Sequence, residues 1–291
     1  MAILGKGTAN GACSLLHAAG IGYGASLALD LPVIVRLLDK EPKSKLDDPD
    51  NLLESVIKVW REMKLPSAGP ELYWTVKSKI PPRQGLKSSA AIAVAAIRAL
   101  SKATDQELEN HQIVDLAAKA QVDAGVSITG SIDDAWAATE GGWKLINVHA
   151  EDIQSGVIME QAGPTSEDWR VFLLLRGERE IQTEPEDFSY HQQAFSQALA
   201  ALQEGKEMVA ITWNGRGVIG ALNDPKGRRL TNDAFVNGAR AAGISGSGSA
   251  IAIFAAAVSG PTCERLLKWY DKFPDVEIIE TSIINAEIAE E

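Results

Sequence analysis

Between Pro81 and Ala91 the chain reads P-P-R-Q-G-L-K-S-S-A-A: the end of a strand, a glycine that allows a tight turn, and the start of an alanine-rich helix. The first turn of a helix carries unpaired N–H groups and the positive end of the helix dipole, so such a start suits a phosphate. Ser88 and Ser89 add two hydroxyls, one for a phosphate oxygen and one for a bound Mg²⁺. The same serines also suit a plain helix cap. A second cluster, G-V-S-I-T-G-S-I-D-D-A from Gly125 to Ala135, places two adjacent carboxylates after a glycine turn. One of Asp133 and Asp134 can take a proton from a hydroxyl while the other holds Mg²⁺ or a hydrogen bond, which is what phosphoryl transfer asks for. The plainer reading has Asp133 cap the helix that follows.

Two further glycine clusters bring backbone within reach of a ligand. Gly243 to Ser249 (G-I-S-G-S-G-S) precedes an apolar strand, and Gly5-Lys6-Gly7 lies near the N-terminus with Asn10 and Gly11 close by, where a turn is expected. Neither G-x-x-x-x-G-K-[ST] nor a G-x-G-x-x-G after a strand occurs, which disfavours P-loop enzymes and Rossmann dehydrogenases. G-x-S-x-G is absent, and His17, His111, His149 and His191 lack metal-ligand spacing.

The elements expected to position these residues follow from pattern. Ala25 to Leu37 reads as one or two strands interrupted at Pro32, Asn51 to Met63 as a helix, and Leu72 to Ile80 as a strand ending at Pro81. The Ala-rich run after Ser89 and the stretch from Gln106 to Asp123 read as helices, with a short helix or turn over 133–139 and a strand near 143–148. Composition changes after about residue 155, which predicts two lobes, 1–155 and 156–291. The second is expected to hold a strand over 170–175, helices near 190–203, 206–222 and 232–242, a strand over 250–256, a helix near 262–273 and a strand over 276–284.

The chain has 291 residues, 45% hydrophobic and 23% charged, a composition that folds into a large core. Its net charge of −11 opposes binding to nucleic acid. Cys13 and Cys263 form no C-x-x-C pair, the N-terminus lacks the pattern of a signal peptide, and the apolar run from Ala90 to Leu100 is too short to cross a bilayer. A protein of the cytoplasm, without membrane or nucleic-acid partners, is the expectation.

Taken in order, these segments resemble the GHMP kinases, the galacto-, homoserine, mevalonate and phosphomevalonate kinases. The family pattern P-x-x-x-G-L-x-S-S-A-A is met by Pro81, Gly85, Leu86, Ser88, Ser89, Ala90 and Ala91, and Gly243 to Ser249 resembles the family's C-terminal glycine motif. G-L-K-S-S with Lys87, the run S-I-T-G-S-I-D-D-A and S-G-S-G-S further resemble the archaeal type of shikimate kinase, although Ser131 stands where a small apolar residue is expected. The resemblance implies an α+β fold of two lobes, the first like domain 2 of ribosomal protein S5 and the second ferredoxin-like. It implies ATP and Mg²⁺ as cofactors and shikimate as acceptor, with homoserine, mevalonate or pantoate, or a non-catalytic binding role, as alternatives. Asp133 would be the base, with Asp134 in reserve and Lys6 stabilising the transferring phosphoryl group. Pro81, Arg83, Gly85, Leu86, Lys87, Ser88, Ser89, Ala90, Gly246, Ser247 and Gly248 would hold the nucleotide, and Ser89 and Asp123 the metal, Asp123 being equally suited to a solvated helix end. A carboxylate acceptor also calls for an arginine or lysine fork, for which Arg83, Arg228, Arg229 and Arg240 are the candidates.

Overall fold

The computed structural model describes residues 2–43, 46–127, 130–179 and 184–287. Its first two strands, β1 (Ile3–Leu16) and β2 (Tyr23–Leu38), form a long antiparallel pair. The other edge of β2 takes β3 (Tyr73–Ser78) near its end and β4 (Trp143–Asn147) near its start, and β5 (Val157–Gln161) completes a five-stranded sheet. Pro32 does not interrupt β2. It faces Asn10, where β1 shifts register before Ala12, so the irregularity at the proline is absorbed by the pairing.

The glycine cluster at the N-terminus is strand and not the turn its composition suggested. Alternation along β1 turns Gly5 and Gly7 inward and Lys6 outward, where it is exposed. A Cβ on Gly7 would overlap the carbonyl of Ala95, and one on Gly5 that of Ala99. Both carbonyls belong to α2 (Ser88–Ala103), whose alanines are buried on nearly every side. Glycine on the strand and alanine on the helix thus let two backbones approach closely. α1 (Leu52–Glu62), α3 (Asn110–Asp123) and α4 (Ile132–Thr139) pack around α2.

The second sheet runs β7-β8-β6-β9, all antiparallel: β6 (Trp169–Leu175), β7 (Ala241–Ile244), β8 (Ile251–Ala256) and β9 (Glu277–Thr281). Between β6 and β7 lie α5 (Pro185–Ser189), α6 (Gln192–Gln203), α7 (Glu207–Ala221) and α8 (Pro225–Val236), and α9 (Gly260–Tyr270) precedes β9. The helix expected over 232–242 begins earlier, because Pro225 opens it and the Asp224 carboxylate accepts from Gly227 N at 2.7 Å. Gly238, at φ +98°, then turns the chain into β7.

The two sheets share one buried apolar cluster, and the division does not fall cleanly in sequence. β5 lies beyond residue 155 yet belongs to the first sheet. Beyond β9 the chain returns to that sheet, with Ile284 N donating to Ala28 O and Ala286 N to Ala162 O. Among the described residues no helix is long and apolar enough to cross a membrane.

The close approach of β1 and α2 is testable. Gly7→Ala should cost about 1–3 kcal/mol through overpacking, read as a fall in Tm, while Lys6→Ala on the opposite face should stay within about 0.5 kcal/mol. Equal Tm values for the two variants would contradict the packing described.

Candidate active site

Where the sheets meet, a cavity of about 300 Å³ is lined by the end of β1, the turn before α2, the first turn of α4 and the loop between β7 and β8. A larger hollow of about 560 Å³ lies between α3 and the β4–β5 turn, and it holds neither the glycine loops nor the paired carboxylates. Chemistry therefore singles out the smaller one.

Its phosphate-like end is made by two interlocked glycine loops. Gly85 has φ +83°, and a Cβ there would overlap Ser245 O. Gly248 lies against the backbone of Gln84 with equally little room. The Ser245 hydroxyl donates to Gly85 O at 2.7 Å and accepts from Ser14 N at 3.1 Å, and Gly246 N donates to the Ser14 hydroxyl at 3.1 Å. Neither Ser88 nor Ser89 caps α2. The cap position is Lys87, held at φ 65° by the glycine turn, and no side chain caps the first turn. The serines become the first helical residues, and the start of α2 remains open to an anion. Ser89 donates to Gln121 Oε1 at 3.3 Å.

At the other end, Asp133 and Asp134 occupy the first turn of α4, 6% and 9% exposed. Neither caps the helix; Ser131, at φ 48°, holds the cap position. Gly24 on β2 leaves room for the Asp133 carboxylate, which a Cβ there would strike. Asp134 Oδ1 accepts from Lys87 Nζ at 2.8 Å and from the Ser26 hydroxyl at 2.8 Å. The same hydroxyl lies 3.0 Å from Asp133 Oδ2. One hydroxyl proton serves one carboxylate at a time, so Asp133 and Asp134 compete for it. Burial, and then the charge of Asp134, push the Asp133 pKa up to about 7, against the pull of Lys87 and the Ser26 hydrogen bond. For Lys87, burial alone would lower the pKa, but the two aspartates outweigh it and raise it.

His17 lines the cavity just after β1. Its ring stacks on Phe188 at 4.4 Å, and Nδ1 accepts from Ala19 N at 3.2 Å, which leaves the ring proton on Nε2. Burial, and secondarily the charge of Lys87, hold its pKa down to about 3, so it is a neutral donor.

Of the residues singled out by sequence, Arg83, Gly85, Lys87, Ser88, Ser89, Asp133, Asp134, Gly246, Ser247 and Gly248 line this cavity. Leu86 and Ala90 are buried beneath it, and Pro81 begins the turn. Two assignments change. Lys6 sits exposed on β1 opposite Arg36 and does not reach the cavity; the cation beside the carboxylates is Lys87. Asp123 ends α3 in an exposed ion pair with Lys58, away from the cavity. Arg228, Arg229 and Arg240 are exposed and also lie elsewhere. Ile128 and Thr129, within the Gly125–Ala135 run, fall outside the described residues. Sequence reasoning missed Ser14, His17, Ser26 and Arg179. For Ser26 a signal existed in the glycines Gly20, Gly22 and Gly24 just before it; for the others none did.

Residues 51–142 match the N-terminal domain of the GHMP kinases. The chain is 29% identical to a shikimate kinase of Pyrococcus abyssi over 96% of this chain and 99% of that protein. It is 27% identical to a shikimate kinase of Methanococcoides burtonii over 98% of each. The mevalonate kinase structure of Methanococcus jannaschii superposes with a TM-score of 0.76 at 18% identity, covering 96% of this chain and 98% of that one. Residues 51–142 carry a GHMP kinase N-terminal domain. The chain shares its fold with a homoserine kinase of Cytophaga hutchinsonii as well, at TM-score 0.65 and 17% identity over 97% and 96% of the two chains.

The exchange of Lys6 for Lys87 has a direct consequence. Lys87→Met should lower kcat on the order of 100-fold or more and destabilise the fold by about 3–5 kcal/mol, because it strands a buried carboxylate. Lys6→Ala should leave steady-state rates within about twofold. A comparable loss in Lys6→Ala would restore the earlier assignment.

Proposed function

We propose that this protein transfers the γ-phosphoryl group of ATP to the 3-hydroxyl of shikimate. The near-full-length likeness to relatives that bear the name shikimate kinase carries the choice of acceptor. The structural neighbours named for mevalonate and homoserine share the fold only and do not compete with it.

The cavity suits that chemistry. The uncapped start of α2 and the loop over Gly246, Ser247 and Gly248 would hold the triphosphate, supplying N–H groups to its oxygens. Among the described residues no group of three or more His, Cys, Asp or Glu stands ready for a metal. Mg²⁺ suits such a place, since it binds through one or two protein groups and otherwise through phosphates and water. Ser89 and one of the paired aspartates would be its protein groups, and the ion would neutralise phosphate charge.

Asp133 takes the proton from the acceptor hydroxyl. Its carboxylate is buried, held by Ser26, and has a pKa close to neutral, so it both accepts and releases a proton at ordinary pH. Asp134 stays bound to Lys87 and orients that lysine toward the phosphoryl end. His17 offers its Nε2 proton to an oxygen of the acceptor. Cys13 and Cys263, both buried and free, fit a reducing cytoplasm.

The test is ADP release with shikimate, homoserine, mevalonate and pantoate as acceptors. Shikimate should be used with the highest kcat/KM, and absence of shikimate-dependent turnover would sink the assignment. Asp133→Asn should lower kcat by roughly 10³-fold with ATP binding nearly intact.

The pH profile supplies a separate check. Asp133 works ionised, so kcat/KM should fall about tenfold per unit below an apparent pKa near 7 and level off above it, the value belonging to the coupled pair. Stability should move the other way. A carboxyl whose folded pKa lies above its unfolded one loses stabilisation as pH rises through that range. Asp133→Asn should therefore raise Tm at pH 8, with the gain shrinking toward pH 4.

A further inference from the structure

We propose that Arg179 is the carboxylate anchor of the acceptor half of this cavity, the residue by which the enzyme selects hydroxylated carboxylic acids over neutral alcohols. The proposal rests on the reading of the site as a small-molecule kinase site.

Three cations among the described residues line the cavity: Arg83, Lys87 and Arg179. Lys87 is committed to Asp134 at 2.8 Å. Arg83 faces both carboxylate oxygens of Asp50 at 3.3 Å and has Glu178 at 3.7 Å. Arg179 differs from both. Among the described residues its Nη1 is shut off from solvent without a hydrogen-bond partner, and no ion pair joins it to a carboxylate. Burial also pushes its pKa down from the ordinary arginine value. Folded proteins seldom leave a buried guanidinium donor unpaired, because its lost hydration is not replaced. Arg179 lines the binding cavity, so a ligand that draws the guanidinium into it supplies the missing partner.

The chain just before Arg179 is held firmly. Arg176 N donates to Gln84 Oε1 at 3.0 Å, and the Arg176 guanidinium grips both oxygens of Asp224, at 3.2 and 2.6 Å, and Ser249 O at 2.7 Å. The Ser249 hydroxyl donates to Gly177 O. The turn after β6 is thereby tied to both glycine loops at Arg176 and Gly177, just before Arg179. Its charge is felt at His17, so a planar cationic fork and a neutral Nε2–H donor serve the same region. The phosphates have the open start of α2 and the glycine loops. The anion left without a partner is a carboxylate on the acceptor, which a guanidinium binds through two parallel hydrogen bonds.

The experiment compares kcat/KM for shikimate and for its neutral methyl ester in the parent enzyme, Arg179→Gln and Arg179→Lys, with KM for ATP measured alongside. The parent should prefer the acid by on the order of 100-fold. Arg179→Gln should lose that preference by bringing the acid down to the ester, with KM for ATP unchanged. Arg179→Lys, which keeps charge but not the fork, should fall between. Equal loss on acid and ester, or a raised KM for ATP, would place Arg179 on the phosphates or in the scaffold and overturn the proposal. If the parent ignores shikimate but uses homoserine, mevalonate or pantoate, the shikimate reading fails alone, and the same comparison with that acid and its ester tests the anchor. Turnover of none of the acids overturns the anchor too.

Discussion

Two carboxylates adjacent in sequence and buried together repel one another, and the cavity is organised around how that repulsion is managed. Lys87 neutralises Asp134, and the Ser26 hydroxyl reaches both groups. Asp133 is left as the partner whose proton is loosely held. Lys87 can do this because the turn at Gly85 puts it in a left-handed conformation at the head of α2, aiming its side chain across the cavity. One conformational choice thus sets both the open helix start and the charge balance of the paired aspartates.

That choice depends in turn on contacts far apart in sequence. Gly85 and Gly248 approach so closely that neither tolerates a side chain, and Ser14 and Ser245 lock the two loops to the end of β1. Each hydrogen bond of this kind is worth only about 1 kcal/mol net. Together they fix a cavity wall built from three separate stretches of chain, which is the preorganisation that electrostatic catalysis needs.

Much of this was legible in local sequence. The turn and helix from Pro81 to Ala91, the Asp133-Asp134 pair and the loop from Gly243 to Ser249 all carry strong short-range patterns, and the structure gathers them at one cavity. What local patterns could not show was the direction of side chains set by long-range pairing. Gly5-Lys6-Gly7 looked like a turn because three such residues in a row favour one. Pairing with β2 and close packing on α2 made it a strand and turned Lys6 outward. Asp123 looked available for a metal until α1 brought Lys58 beside it. Arg179 and His17 have no motif at all, and only the meeting of the two sheets brings them to one cavity.

The return of the chain to the first sheet, through Ile284 and Ala286, bears on how the molecule is made. Ala28 O, Gly142 N and Ala162 O find backbone partners in Ile284 and Ala286, residues that leave the ribosome after both sheets have been synthesised. The first lobe can collapse early around its alanine-rich helix, yet its last hydrogen bonds wait for the distant segment, and contacts of such wide sequence separation form slowly. Completion of one half is thereby coupled to completion of the other, so the cavity between them comes into being as a late and joint event.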